Sequence, residues 1–210
     1  MFETAGLALT TLFATIGPIG VSAMFAALTT SENSEARRSM AIRGTIIAAG
    51  ILLGFAVIGE HLLTGLGISL AALRISGGIL LLLIGIEKVF ARSASGTSTT
   101  EEEEREAETK QDISVFPLAT PLLAGPGSMG AIILLMADAE GDLTSQVIVV
   151  ASLLTMLFLT LGALLSASKL QKYLGITGMH VVGRIMGVLL SALAVQFILD
   201  GIGQSGLIGS

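Results

Sequence analysis

Three stretches of the chain, Thr4 to Ser31, Ile113 to Ala137 and Leu143 to Ser168, each run at least 25 residues without a charged side chain. About 20 helical residues, rising 1.5 Å each, cross a hydrocarbon core roughly 30 Å thick, so each stretch is long enough to span a bilayer. Three further apolar spans carry or border single charges: about Ala41 to Leu63, Ser69 to Phe90 and Gly178 to Asp200. With 52% hydrophobic and 13% charged residues over 210 positions, the chain has too little polar surface to cover a water-soluble core. The expected fold is an all-α membrane protein of six transmembrane helices, with the lipid bilayer as its first partner. The first span lacks a basic leader region and a convincing cleavage site, so it reads as a first helix rather than a removable signal.

Two unrelated phrases recur at one spacing. Ile16-Gly17-Pro18-Ile19-Gly20 returns as Ala124-Gly125-Pro126-Gly127-Ser128, and Leu66-Gly67-Ile68-Ser69 returns as Leu174-Gly175-Ile176-Thr177, both 108 residues later. The chain therefore reads as two related halves, 1–92 and 113–210, joined by 93–112. The joining segment is Ser/Thr-rich and then acidic, and residues 101–112 hold seven of the sixteen acids. Basic and acidic residues balance elsewhere, so the net charge of −5 belongs to a flexible cytoplasmic linker. Each half has three helices, an odd number, so the second half enters the membrane from the opposite side. Inverted repeats of this kind let one half rock against the other in secondary transporters. Basic residues cluster in alternate connections: Arg37, Arg38 and Arg43; Lys88, Arg92, Arg105 and Lys110; Lys169 and Lys172. The positive-inside rule places those connections in the cytoplasm and both termini outside the cell (inner) membrane.

Helices 1 and 4 are expected to be broken at Gly-Pro. Proline removes a backbone N–H and glycine tolerates unusual dihedrals, so the pair opens a helix near the middle of its span. Unwound backbone survives at that depth only when enclosed by protein or lining a polar cavity. The segments starting at Ile19 and Gly127 offer N–H groups and positive dipole ends, suited to a carboxylate. Those ending at Ile16 and Ala124 offer carbonyl oxygens, suited to an ammonium group. One small zwitterion satisfies both. The candidate substrate residues are Thr15, Gly17, Pro18, Ile19, Gly20, Ser22, Thr120, Gly125, Pro126, Gly127 and Ser128, although each hydroxyl also has bonding partners within its own helix. With 4% aromatics and no tryptophan, the chain has little material for a broad aromatic drug pocket.

Charges flank this region rather than enter it. Arg74-Ile75-Ser76-Gly77 and Arg184-Ile185-Met186-Gly187 are a third repeated phrase, and Arg74 with Glu60 outside and Arg184 with Glu87 inside form candidate gate or ion pairs. Snorkelling to the interface accounts for both arginines equally well. Asp138, Glu140, Asp142 and Asp200 lie at helix ends and read as solvated. No buried carboxylate marks a proton path, and coupling to H+ or Na+ is left open. Without cysteine, and with His61 and His180 at opposite membrane faces, no metal or catalytic centre is expected; nor is any other cofactor, nucleic-acid partner or enzyme activity. The reading is a transporter by alternating access; the alternatives are an exporter or channel for another small solute or ion, and a non-transporting membrane scaffold. The residues do not state the oligomeric state.

The Gly-Pro-Ile-Gly phrase with Leu28-Thr29 and Arg37-Arg38, the Gly65 to Ile79 segment around Arg-Ile-Ser-Gly-Gly, and the run from Phe116 through Pro117, Thr120 and Pro121 to Gly127 resemble the MarC family of six-helix membrane proteins. That resemblance covers nearly the whole chain outside the linker. It implies transport of small neutral amino acids of the glycine and alanine class, with a binding site around Gly17-Pro18 and Gly125-Pro126. One position departs: the family commonly has Asn before the first proline, and this chain has Gly17.

Overall fold

The computed structural model describes residues 2–29, 32–90, 112–139 and 141–205. In chain order the helices are α1 (Phe2–Ile16), α2 (Pro18–Leu28), α3 (Ser34–Gly65), α4 (Leu70–Phe90), α5 (Ser114–Leu123), α6 (Pro126–Asp138), α7 (Leu143–Leu165) and α8 (Ala167–Gln204). No strand occurs among the described residues. Five spans are long and apolar enough to cross a membrane, or six when the bent pair α5–α6 is counted as one. The linker expected at 93–112 lies outside the described residues except for Asp112.

Local chemistry fixes the helix starts. The Asn33 side chain accepts the Ala36 N–H at 2.8 Å and begins α3. Asp142 accepts the N–H groups of Thr144 and Ser145 at 3.0 and 3.2 Å and begins α7. The Ser145 hydroxyl, followed by those two N–H groups, holds the Asp142 carboxyl below its ordinary range. The chain's four prolines are Pro18, Pro117, Pro121 and Pro126. Two of them shape α5, whose turns are widened by bonds from Leu118 N–H to the Ile113 carbonyl and from Ala124 N–H to the Ala119 carbonyl, at 3.1 and 2.9 Å. Phe116 and Thr120, each preceding a proline, are extended at φ −131° and −132°.

The last helix differs from expectation. It runs unbroken for 38 residues, taking in the Lys169–Lys172 stretch expected to be a connection. The phrase Leu66–Ser69 is the turn between α3 and α4, yet its repeat Leu174–Thr177 lies inside α8. No proline interrupts Ala167–Gln204, and isolated glycines only weaken a helix.

Packing is mostly between the two halves. α4 lies antiparallel against α8, the most extensive helix pairing among the described residues. A Cβ added to Gly78 would sit 2.7 Å from the Ala194 carbonyl oxygen, one on Gly85 2.9 Å from that of Gly187, and one on Gly201 2.9 Å from that of Ala71. These small residues recur every seventh position on both helices, keeping the seam aligned as the helices cross. The pair α1–α2 touches α7 and α8, and α5–α6 touches α3 and α4, while α3 meets α7 and α1 meets α6. The main core joins Leu12, Ile16, Phe25, Ala48, Leu52, Leu118, Leu123, Ile132 and Leu153, and a second cluster holds Leu81, Leu134, Leu190 and Phe197. Large apolar side chains left exposed on α3, α4, α7 and α8, among them Val57, Leu83, Phe158 and Leu199, form the surface that lipid covers.

Candidate functional site

A cavity of about 330 Å³ opens where the two Gly-Pro junctions meet. Thr15 and Ile16 close α1 on one side, and Gly20, Val21, Ala23 and Met24 follow from the first turns of α2. Opposite stand Pro121 and Leu122 of α5, then Gly125, Pro126, Gly127 and Ser128, with Ile84 of α4 completing the wall. Its volume is at the small end of the roughly 300–1,000 Å³ typical of ligand sites. None of these thirteen residues is ionisable, so the polar character of the wall comes from backbone and hydroxyls.

The junctions supply that backbone. Gly17 sits at φ 62°, ψ 59°, a left-handed conformation that costs a side-chain-bearing residue roughly 1–2 kcal/mol. Its N–H still closes on the Phe13 carbonyl at 3.0 Å and its carbonyl starts α2 by accepting from Val21 at 3.0 Å. At the second junction Ala124 and Gly125 are non-helical, with Gly125 at φ −93°, ψ 174°, and α5 and α6 meet at a 53° bend. A Cβ on Gly125 would stand 2.5 Å from the Pro121 carbonyl oxygen, so this glycine answers a need for space. First-turn N–H groups of a helix have no partner in its own ladder, nor have its last carbonyls. The wall thus includes Gly20, Gly127 and Ser128 from the first turns of α2 and α6, whose N–H groups lack a helix partner, and Thr15 and Ile16 from the last turn of α1, whose carbonyls lack one.

Six of the eleven sequence-predicted substrate residues line the cavity: Thr15, Gly20, Gly125, Pro126, Gly127 and Ser128. Gly17, Pro18, Ile19, Ser22 and Thr120 stand outside the wall. The four hydroxyls bond locally, Thr15 donating to the Thr11 carbonyl at 2.9 Å, Ser22 to Ile19 at 2.8 Å and Thr120 to Val115 at 3.3 Å. Ser128 accepts the Gly125 N–H at 3.0 Å and donates to the Leu123 carbonyl at 2.8 Å, stitching the bend from within. Ile84 was not legible in the sequence, since it comes from a distant helix with no motif. Met24 follows Gly20 by one helical turn, a spacing that signals a shared face.

Among the outer charges, Arg74 has a partner that the sequence did not name. Arg74 forms an ion pair with Asp138 at the end of α6, so Asp138 is not a freely solvated residue. α4 lies against α6, which brings the C-terminal end of α6 within reach of the largely buried Arg74 side chain. The side chain of Glu60 is outside the described residues. Glu87 and Arg184 form no ion pair among the described residues: Arg184 is exposed, and Glu87 Oε2 is buried with no hydrogen-bond partner. Asp138 also lines a wider cavity of about 650 Å³ with Glu3, Thr4, Thr10 and Ser145, at the opposite ends of α1 and α6 from the junctions.

The chain is 40% identical over 196 residues to a UPF0056 membrane protein of Methanocaldococcus jannaschii, covering 93% of this chain and 94% of that one. It is 34% identical over 200 residues to the UPF0056 membrane protein YvbG of Bacillus subtilis, covering 93% and 92%. It is 30% identical over 210 residues to the UPF0056 inner membrane protein MarC of Escherichia coli O139:H28, covering 96% and 95%. No solved structure matches the chain. The MarC family integral membrane protein profile matches residues 2–205, and the chain belongs to that family.

Proposed function

We propose that the protein is a secondary transporter of small neutral amino acids, of the glycine and alanine class, that works by alternating access. The observation that carries this reading is the cavity of about 330 Å³ framed by four helix ends and free of ionisable side chains. A substrate carboxylate would lie on the N–H groups that open α2 and α6, and its ammonium group on the carbonyls that close α1 and α5. Net-charged solutes would find no countercharge there, and the volume excludes large ones.

The pattern of packing supports an inverted repeat. Exchange α1–α2 for α5–α6, α3 for α7 and α4 for α8, and the principal helix contacts map onto one another. Contacts of α1–α2 with α7 and α8 become those of α5–α6 with α3 and α4, α1–α6 becomes α2–α5, and α3–α7 and α4–α8 map onto themselves. Rocking one half on the other would open the cavity to each side in turn. The arginine-bearing start of α3 then faces the cytoplasm, with both termini outside, and Arg74–Asp138 serves as an outer latch.

Binding of glycine and alanine to the purified protein, and counterflow of both in proteoliposomes, test the proposal. Saturable binding with counterflow is expected, and imposed pH or sodium gradients separate H+ from Na+ coupling. Absence of both binding and counterflow would overturn the substrate assignment.

A further inference from the structure

A second cavity of about 390 Å³ lies far from the junctions, lined by Ser34, Arg37 and Arg38 of α3, Phe25 of α2, and Leu164 and Leu165 of α7. These are helix ends on one face of the bundle, where the chain leaves the apolar layer. Of the three arginines near the start of α3, Arg43 is paired with Asp112 at 2.6 Å. Arg37 and Arg38 form no ion pair among the described residues, and the neighbouring Glu32 and Glu35 are not part of the cavity wall.

We propose that this cavity binds the phosphate of an anionic phospholipid. The positive dipole end at the start of α3 is opposed by the negative ends of α2 and α7, each about half a unit, so the helix dipoles give no net attraction for an anion. What remains is the full charge of two guanidinium groups, whose planar donors match phosphate oxygens. Apart from Ser34 the rest of the wall is apolar, and Leu165 is half exposed, as a surface would be that an acyl chain covers. A free phosphate ion would gain nothing from Phe25, Leu164 and Leu165; a lipid uses both parts of the wall. Basic pockets between membrane helices recognise lipid headgroups in this manner. This proposal does not depend on what the central cavity transports.

The test is thermal unfolding of delipidated protein in detergent, titrated with phosphatidylglycerol, phosphatidylcholine or inorganic phosphate. Phosphatidylglycerol is expected to raise the midpoint, with phosphatidylcholine and inorganic phosphate at equal concentration doing far less. In R37Q/R38Q the apparent affinity for phosphatidylglycerol should fall roughly 30-fold, on the order of fivefold per arginine. R43Q, which alters a charge outside the cavity, should keep the wild-type response. If R37Q/R38Q does not fold, R37K/R38K retains charge without the paired donors and should show a smaller loss. An undiminished response in the arginine variants, or an equal loss in R43Q, would overturn the site; inorganic phosphate acting as strongly as the lipid would overturn the lipid as its occupant.

Discussion

At Gly17-Pro18 the chain passes through one left-handed residue and continues within a single span, Phe2–Ala26; at Gly125-Pro126 it passes through an extended residue and bends by 53°. The same dipeptide thus serves two constructions, and the flanking residues decide between them. Shifted by the 108-residue repeat, Pro117 and Pro121 correspond to Leu9 and Phe13, and Ser128 corresponds to Gly20. The first junction has no upstream prolines to unwind α1, so that helix stays regular up to Ile16. It also has no hydroxyl to stitch a bend. One half offers a nearly continuous helix to the cavity, the other a preformed corner.

The sharpest way to break the comparison is Gly125→Ala. Its Cβ would meet the Pro121 carbonyl oxygen at 2.5 Å, and backbone cannot rotate aside as a flexible side-chain end would. Overpacking of this kind costs about 3 kcal/mol at the upper end of its usual range. A lowered unfolding midpoint in detergent is expected, together with loss of glycine binding, because Gly125 and its neighbours form the wall. Unchanged stability would show that the second junction has slack the geometry denies.

Next in size is Ser128→Ala. It removes the acceptor of the buried Gly125 N–H and the donor to the Leu123 carbonyl. An unsatisfied buried donor costs about 1–3 kcal/mol, and that loss should appear as a lowered midpoint. The mirror change, Gly20→Ser, should cost much less stability, since the first junction has no extended corner for the new hydroxyl to close. If both changes cost the same, the stitch is not what distinguishes the two junctions.

How much of this was legible beforehand follows from the kind of force involved. The apolar runs announced the spanning helices, since a bilayer admits few other ways to satisfy backbone. The second Gly-Pro phrase coincides with the cavity at Gly125 to Ser128, whereas of the first only Ile16 and Gly20 reach the wall. The partners of charged groups were not legible: Arg74 reaches Asp138 through the packing of α4 on α6, a distance no sequence spacing encodes. Ile84 enters the wall for the same reason. The Leu-Gly-Ile phrase misled at its second occurrence, because a short motif without proline can be either a turn or part of a helix, and in α8 the helix prevails.

The smallest expected effect is also the one that bears on Gly17, the position where the MarC family commonly has Asn. At Gly125 the obstacle is space, whereas at Gly17 it is conformation, with φ at 62°. Alanine there must adopt the left-handed region at roughly 1–2 kcal/mol, but asparagine visits it with much less strain through local hydrogen bonding of its short side chain. Gly17→Ala should therefore lower the unfolding midpoint and Gly17→Asn should lower it much less. The order reverses if only side-chain volume matters, since asparagine is the larger residue. Because Gly17 stands behind the cavity wall, a Gly17→Asn change in glycine affinity without a matching change in stability would mean that the amide reaches past Ile16 or Gly20 to the substrate.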